Sequence, residues 1–173
     1  VTLMSDLSAA RIPDPLEGLK AAMRHYAAGV TVVTTGTGDE RRGVTATAFT
    51  SVTMEPPTVL VCINRNGATN TALRSCEIFC VNILAVGQDE ACATFSGQRA
   101  LHGAGQFAPF EWLPCAGRPL ALKGALASIG CTLTGTIEQG THTVFLGRVE
   151  EVLISPSARP LIHYDRVLHS VGL

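Results

Sequence analysis

The chain is short of charge, of paired cysteines and of long apolar runs. Asp, Glu, Lys and Arg make up 16% of its 173 residues, where an average soluble chain carries roughly 25%. The net charge is −1, so neither nucleic acid nor an anionic membrane finds a basic counterpart here. No uninterrupted apolar run approaches the ~20 residues of a membrane span, and VTLMSDLSAARIPDP at the N-terminus lacks the basic-then-apolar layout of a signal peptide. The expectation is a soluble, cytoplasmic protein.

Further chemistries are excluded by missing motifs. Six cysteines (Cys62, Cys76, Cys80, Cys92, Cys115, Cys131) include no CxxC pair and several sit in apolar strands such as LVCI and IFCV, which predicts buried free thiols rather than a disulfide frame or zinc site. Five dispersed histidines form no HxH or HExxH pair, so no metal site is expected. There is no GxSxG elbow for nucleophilic hydrolysis. GTGDERRG follows a strand and opens with GxG, yet Arg41 stands at the third glycine and a strand follows, leaving no helix N-terminus for a pyrophosphate. The same stretch continues with Val44-Thr45 where a phosphate loop needs Lys and Ser or Thr.

What is present is apolar: 46% of residues, with a mean hydropathy of +0.28. A single domain over 1–173 is long enough for one substantial core, with residues 1–13 as a loose leader, and the charge deficit predicts a homo-oligomer. DPLEGLKAAMRHYAAG reads as a helix: Asp14 caps, Pro15 suits the first position, Glu17 follows three after the cap and Gly29 marks the stop. Leu16, Leu19, Met23 and Tyr26 or Ala27 share a face that should pack on the body, with His25 beside it in a structural role.

Val30 to Thr35 is β-branched and strand-like, and GTGDERRG turns it into VTATAFTSVT as a hairpin. Pro56 and Pro57 end that run. TVLVCIN and EIFCVNILA read as strands, and RNGATNTALRS and GQDEACATFSG as short helices. Residues 98–120, with Pro109, Pro114, Pro119 and the only tryptophan, Trp112, read as an irregular lid or binding loop. GALASIGCTLTGTI and HTVFLGRVEEVLIS flank EQGT as a long hairpin, and PLIHYDRVLHSV supplies a last strand or pair. Hairpin-linked strands outnumber helices, so the fold class is mainly β, a closed or split β-barrel with a few covering α-helices.

One stretch resists a purely structural explanation. Between Gly43 and Asn64, hydroxyl and small residues (Thr45, Ala46, Thr47, Ala48, Thr50, Ser51, Thr53) crowd together, and the single charge, Glu55, comes after them. A solvated loop normally carries Lys, Glu or Asp, and a core strand does not hold so many hydroxyls. The pattern suits a neutral ligand rich in hydrogen-bonding edges.

Taken in order, AAGVTVVTT, GVTATAFTSVTMEPPTVLVCIN, CVNILA, ATFSG, QGTHTVFLGRVEEV and PLIHY resemble the short-chain flavin reductase family, from about Leu19 to Val171. The resemblance implies an FMN-binding split barrel, a homodimer, that takes a hydride from NADH or NADPH and reduces FAD or FMN for a separate flavin-dependent monooxygenase. It implies that Thr45, Ala46, Thr47, Ser51, Val52 and Thr53 run beside the flavin ring and ribityl chain, whose carbonyl and imide edges short hydroxyls and backbone amides can read. Asn64, Arg65, Ala68 and Thr69 are implied on the phosphate side, and Phe95, Ser96 and Gly97 further out. His142 is implied near the nicotinamide as the catalytic-site histidine, positioning rather than donating a proton, and Tyr164 matches the C-terminal aromatic position.

Three departures stand out: Thr47 where the family commonly has asparagine, Thr141 where the turn often has aspartate, and Val44 for a frequent methionine. NADH is preferred over NADPH in this reading because no paired-arginine site for a 2′-phosphate is visible along the chain. Two other readings stay open: a protein that retains its flavin and passes electrons to a corrin or quinone, and a non-catalytic flavin or haem-type binding module.

Overall fold

The computed structural model describes residues 11–155 and 159–171, so most of the expected leader lies outside the described residues. Helix α1 (Pro15–Arg24) starts as predicted: the Asp14 carboxylate accepts from the Leu16 N–H at 2.9 Å, and Pro15 occupies a position that needs no donor. It stops earlier than Gly29. The His25 N–H closes the last turn on Ala22 and Met23, and Ala28–Gly29 become a short strand, β1, paired to Ile162 and His163. Sheet pairing here overrides the helical propensity of the alanines. The apolar face also departs from expectation, because Leu16, Leu19, Met23 and Tyr26 are all exposed.

Strand β2 (Thr31–Thr35) pairs with β3 (Arg42–Ala46) through the predicted hairpin turn. Gly36 has φ +80°, and a side chain there would collide with the Glu40 carbonyl, so glycine is required. VTATAFTSVT is two strands rather than one: β3 ends at Ala46 and β4 (Phe49–Met54) follows after two residues. Next come β5 (Pro57–Asn64), α2 (Ala68–Cys76), β6 (Ile78–Ile83) and α3 (Asp89–Phe95).

Residues 98–120 are not the irregular loop expected. A 3₁₀ turn at Gly103–Phe107 leads into a ribbon of β7 (Trp112–Cys115) and β8 (Arg118–Leu122). Aromatic packing organises it: the Phe95 ring lies 5.1 Å from Phe107 and 6.0 Å from Trp112, and the Trp112 indole donates to the Phe107 carbonyl at 2.9 Å. Pro114 is tolerated because a two-stranded ribbon leaves each strand one edge without a ladder. The chain ends with β9 (Ala127–Gln139), β10 (His142–Ile154), β11 (Leu161–Tyr164) and β12 (Val167–Ser170).

Seven strands form the main sheet in the order β3-β2-β6-β9-β10-β5-β4. Its two edge strands are β3 and β4, yet only Thr47 and Ala48 separate them in the chain. Two residues span at most ~7 Å, so the sheet must roll until its edges meet. They meet without pairing, which makes a split barrel.

Both faces of the sheet are covered at β2. On β2, Val33 packs with Val61, Phe79, Phe145 and Leu73 of α2, while its neighbour Val32 packs with Leu84, Phe95, Phe107 and Leu122. Full burial of each large side chain contributes about 1.5–3 kcal/mol. The cysteines are free, and four of them are buried. Burial pushes the Cys131 thiol up to about 12 and raises Cys92 as well, which keeps both protonated and unreactive.

Candidate functional site

At the seam, where β3 and the link of Thr47 and Ala48 face the ends of β5 and β10, a cleft of about 260 Å³ opens. Its walls are Thr45, Ala46, Thr47 and Ala48 on one side, Asn64 at the end of β5, and His142 at the start of β10. Asn64 and His142 are ladder partners, so strand register alone places an amide beside an imidazole. No Lys, Arg, Asp or Glu lines it. Because β3 and β4 are edges, each presents one row of backbone N–H and C=O groups without a ladder.

Internal bonds hold the walls. The Thr45 hydroxyl donates to the Cys92 carbonyl at 2.8 Å, tying β3 to α3, and the Thr31 hydroxyl donates to the Ala46 carbonyl at 2.7 Å. Ala48 accepts from the Cys62 N–H at 3.0 Å, and Thr47 accepts from Phe49 at the same distance. The Asn64 side chain caps its own turn by accepting from the Asn66 N–H at 2.9 Å. Thr141 Oγ1 lies 2.9 Å from His142 Nδ1. A neutral hydroxyl therefore takes the orienting position where the family turn often has aspartate, and Nε2 is the ring atom left for a ligand.

Five of the residues selected from sequence, Thr45, Ala46, Thr47, Asn64 and His142, come together in this cleft. Arg65 borders it: its backbone N–H donates to the Thr141 carbonyl at 2.9 Å. The others lie elsewhere. Ser51, Val52 and Thr53 are exposed along β4, and Thr53 closes its own turn by accepting from the Glu55 N–H at 3.1 Å. Ala68 lines a separate cleft of about 450 Å³ with Arg42, Thr71 and Ser75, and Thr69 is buried in the first turn of α2.

Phe95 is buried in the aromatic cluster, and Ser96 bonds the Ala93 carbonyl at 3.1 Å beside Gly97 at φ +81°. Tyr164 ends β11 with its ring 6.1 Å from His169. Along with Val44, the wall is also lined by Cys62 and Ile63, which the sequence reading does not single out. Their signal was available, since both immediately precede Asn64 on one strand.

The cleft fits a flavin. No Lys, Arg, Asp or Glu lines it, and hydroxyl, amide and backbone donors and acceptors edge it, as a flat neutral ring with polar edges requires. The likeness to known proteins runs the same way. The chain is 35% identical over 154 residues to the 4-hydroxyphenylacetate 3-monooxygenase reductase component of Pseudomonas aeruginosa, covering 88% of this chain and 90% of that one. It is 35% identical over 150 residues to FMN reductase (NADH) RutF of Klebsiella pneumoniae, covering 87% and 90%. The solved structure of Streptomyces globisporus C-1027 NADH:FAD oxidoreductase SgcE6 superposes with a TM-score of 0.85 at 31% identity, over 95% of this chain and 98% of that one. With residues 23–172 matching the profile described as the Flavin reductase like domain, the chain belongs to that family.

Proposed function

We propose that this chain is an NAD(P)H:flavin oxidoreductase that reduces FAD or FMN and releases the reduced flavin to a separate monooxygenase. The observation that carries the reading is the uncharged seam cleft with His142 at its rim. The flavin supplies the chemistry, accepting a hydride directly from the nicotinamide. The protein aligns two rings. Ala46 and Ala48 let a flat ring approach the backbone, Thr47 and Asn64 read its polar edge, and His142 orients the nicotinamide through Nε2. Ala68 extends the binding surface toward the flavin phosphate, with Ser51, Val52, Thr53, Ser96, Gly97 and Tyr164 at its outer margins, and the buried Thr69 and Phe95 support it from behind.

The working form in this reading is a homodimer. Leu19 on α1 and Tyr26 just past its end are each 61% exposed, and Val52, Met54, Val152 and Ile154 add apolar surface on β4 and β10. A second copy covers such surface. Six free cysteines suit a reducing compartment, the cytoplasm.

The test is loss of the reduced-nicotinamide absorbance on mixing protein with NADH or NADPH and either flavin. Oxidation that scales with free flavin supports the reading. No oxidation with any combination overturns it. Sedimentation of a single-chain mass would overturn the dimer.

A further inference from the structure

A second cleft, of about 390 Å³, is lined by Arg65, Arg74 and Glu138, and Arg65 directly follows Asn64 of the first cleft in the chain. Nη2 of Arg65 lies 3.1 Å from one Glu138 oxygen, and Nη2 of Arg74 lies 2.8 Å from the other. One carboxylate therefore spans two guanidiniums. Arg74 is fixed from behind, its Nε donating to Asn70 Oδ1 and its Nη2 to Thr143 Oγ1, each at 3.1 Å. Asn70 is buried and donates in turn to the Ile63 carbonyl at 3.2 Å. Arg65 grips the turn that carries His142, with Nη1 donating to the Gly140 carbonyl at 3.3 Å. Arg65 thus ties the arginine pair to the turn that leads into His142.

Half-exposed ion pairs of this kind add little to stability. Their consequence is for binding. Guanidinium forks bind phosphate and carboxylate with the same donors, and NADPH differs from NADH only by a phosphate. A phosphate at this place would have to displace the Glu138 carboxylate and sit beside its charge. NADH has no such group.

We propose that Arg65 and Arg74 form the end of the site that meets the second ribose of the nicotinamide dinucleotide, and that Glu138, by holding both guanidiniums, sets a preference for NADH over NADPH. This rests on the reading that the nicotinamide lies at His142. Glu138 is a positioning residue here, acting through the two arginines.

The test compares kcat/KM for both donors in the full-length protein. Glu138→Gln raises the NADPH:NADH ratio about tenfold, a difference of about 1.4 kcal/mol, and adding Arg74→Met to that variant returns the ratio to its starting value. A merely structural Glu138 would lower both donors alike. Glu138→Ser is measured alongside, so that the ratio is read even if one variant folds poorly. An unchanged ratio in a variant with a wild-type melting temperature overturns the proposal.

Calorimetric binding of adenosine 2′,5′-bisphosphate, against adenosine 5′-monophosphate, reads the same site without turnover. A gain for the bisphosphate alone in Glu138→Gln, in a protein that oxidises neither donor, would sink the reductase reading and leave the arginine site standing. Turnover with no such gain would sink the site and leave the reductase reading standing.

Discussion

Two polar clusters in this barrel use the same residue types to opposite ends. Around Asn82 of β6 everything is closed: its amide nitrogen donates to the Val32 and Leu120 carbonyls and to Thr34, while its oxygen accepts from the Leu122 N–H at 2.8 Å and the Ser128 hydroxyl at 2.7 Å. Asn82 and Thr34 have no exposed surface. At the seam, Thr47, Asn64 and His142 border a cleft instead. Hydroxyls and amides signal structure where their bonding capacity is used up internally, and a ligand site where capacity is left facing a cavity.

Substitutions sharpen that contrast. Asn82→Ala has the largest expected effect on the fold, because it strands several buried groups at once: a loss of about 3–5 kcal/mol, read by denaturant unfolding. A loss below about 1 kcal/mol would mean that the network is dispensable. Next is Gly43→Val on β3. A Cβ there would stand 2.6 Å from the Phe95 ring, and the overpacking destabilises by about 1–3 kcal/mol, measured the same way.

The seam substitutions should barely move stability. Ala46→Leu fills the cleft and raises the KM for flavin about tenfold or more, while unfolding stays within about 0.5 kcal/mol of wild type. Normal flavin affinity in that variant would show that the ring lies elsewhere. His142→Ala lowers kcat/KM for NADH about tenfold with the same small effect on stability. If its kinetics with both donors match wild type, the imidazole has no part in nicotinamide binding.

Much of this was legible along the chain because the signals are local. Asp14 and Pro15 start a helix by their own chemistry, β-branched runs form strands, and the crowd of hydroxyls before Asn64 pointed to a ligand without any contact being known. The misreadings share a cause. The prolines of 98–120 predict a loop because they are visible in sequence, while the packing of Phe95 on Phe107 and Trp112 that organises the stretch is not. The face of α1 was expected to be covered, but an apolar stripe specifies only that something covers it.

Local signals along the chain thus determined most of the elements and the mainly β class, since propensity and capping act over a few neighbours, and the resemblance to flavin reductases implied the split barrel and the five residues that meet at the seam. Tertiary structure decided what depends on distant partners. The rolling of the sheet brings its two edges together at Thr47 and Ala48, and the β9–β10 turn carries Glu138 between Arg65 and Arg74, 64 residues from the latter. No periodicity encodes a bond of that span; only the rolled sheet brings such residues within reach.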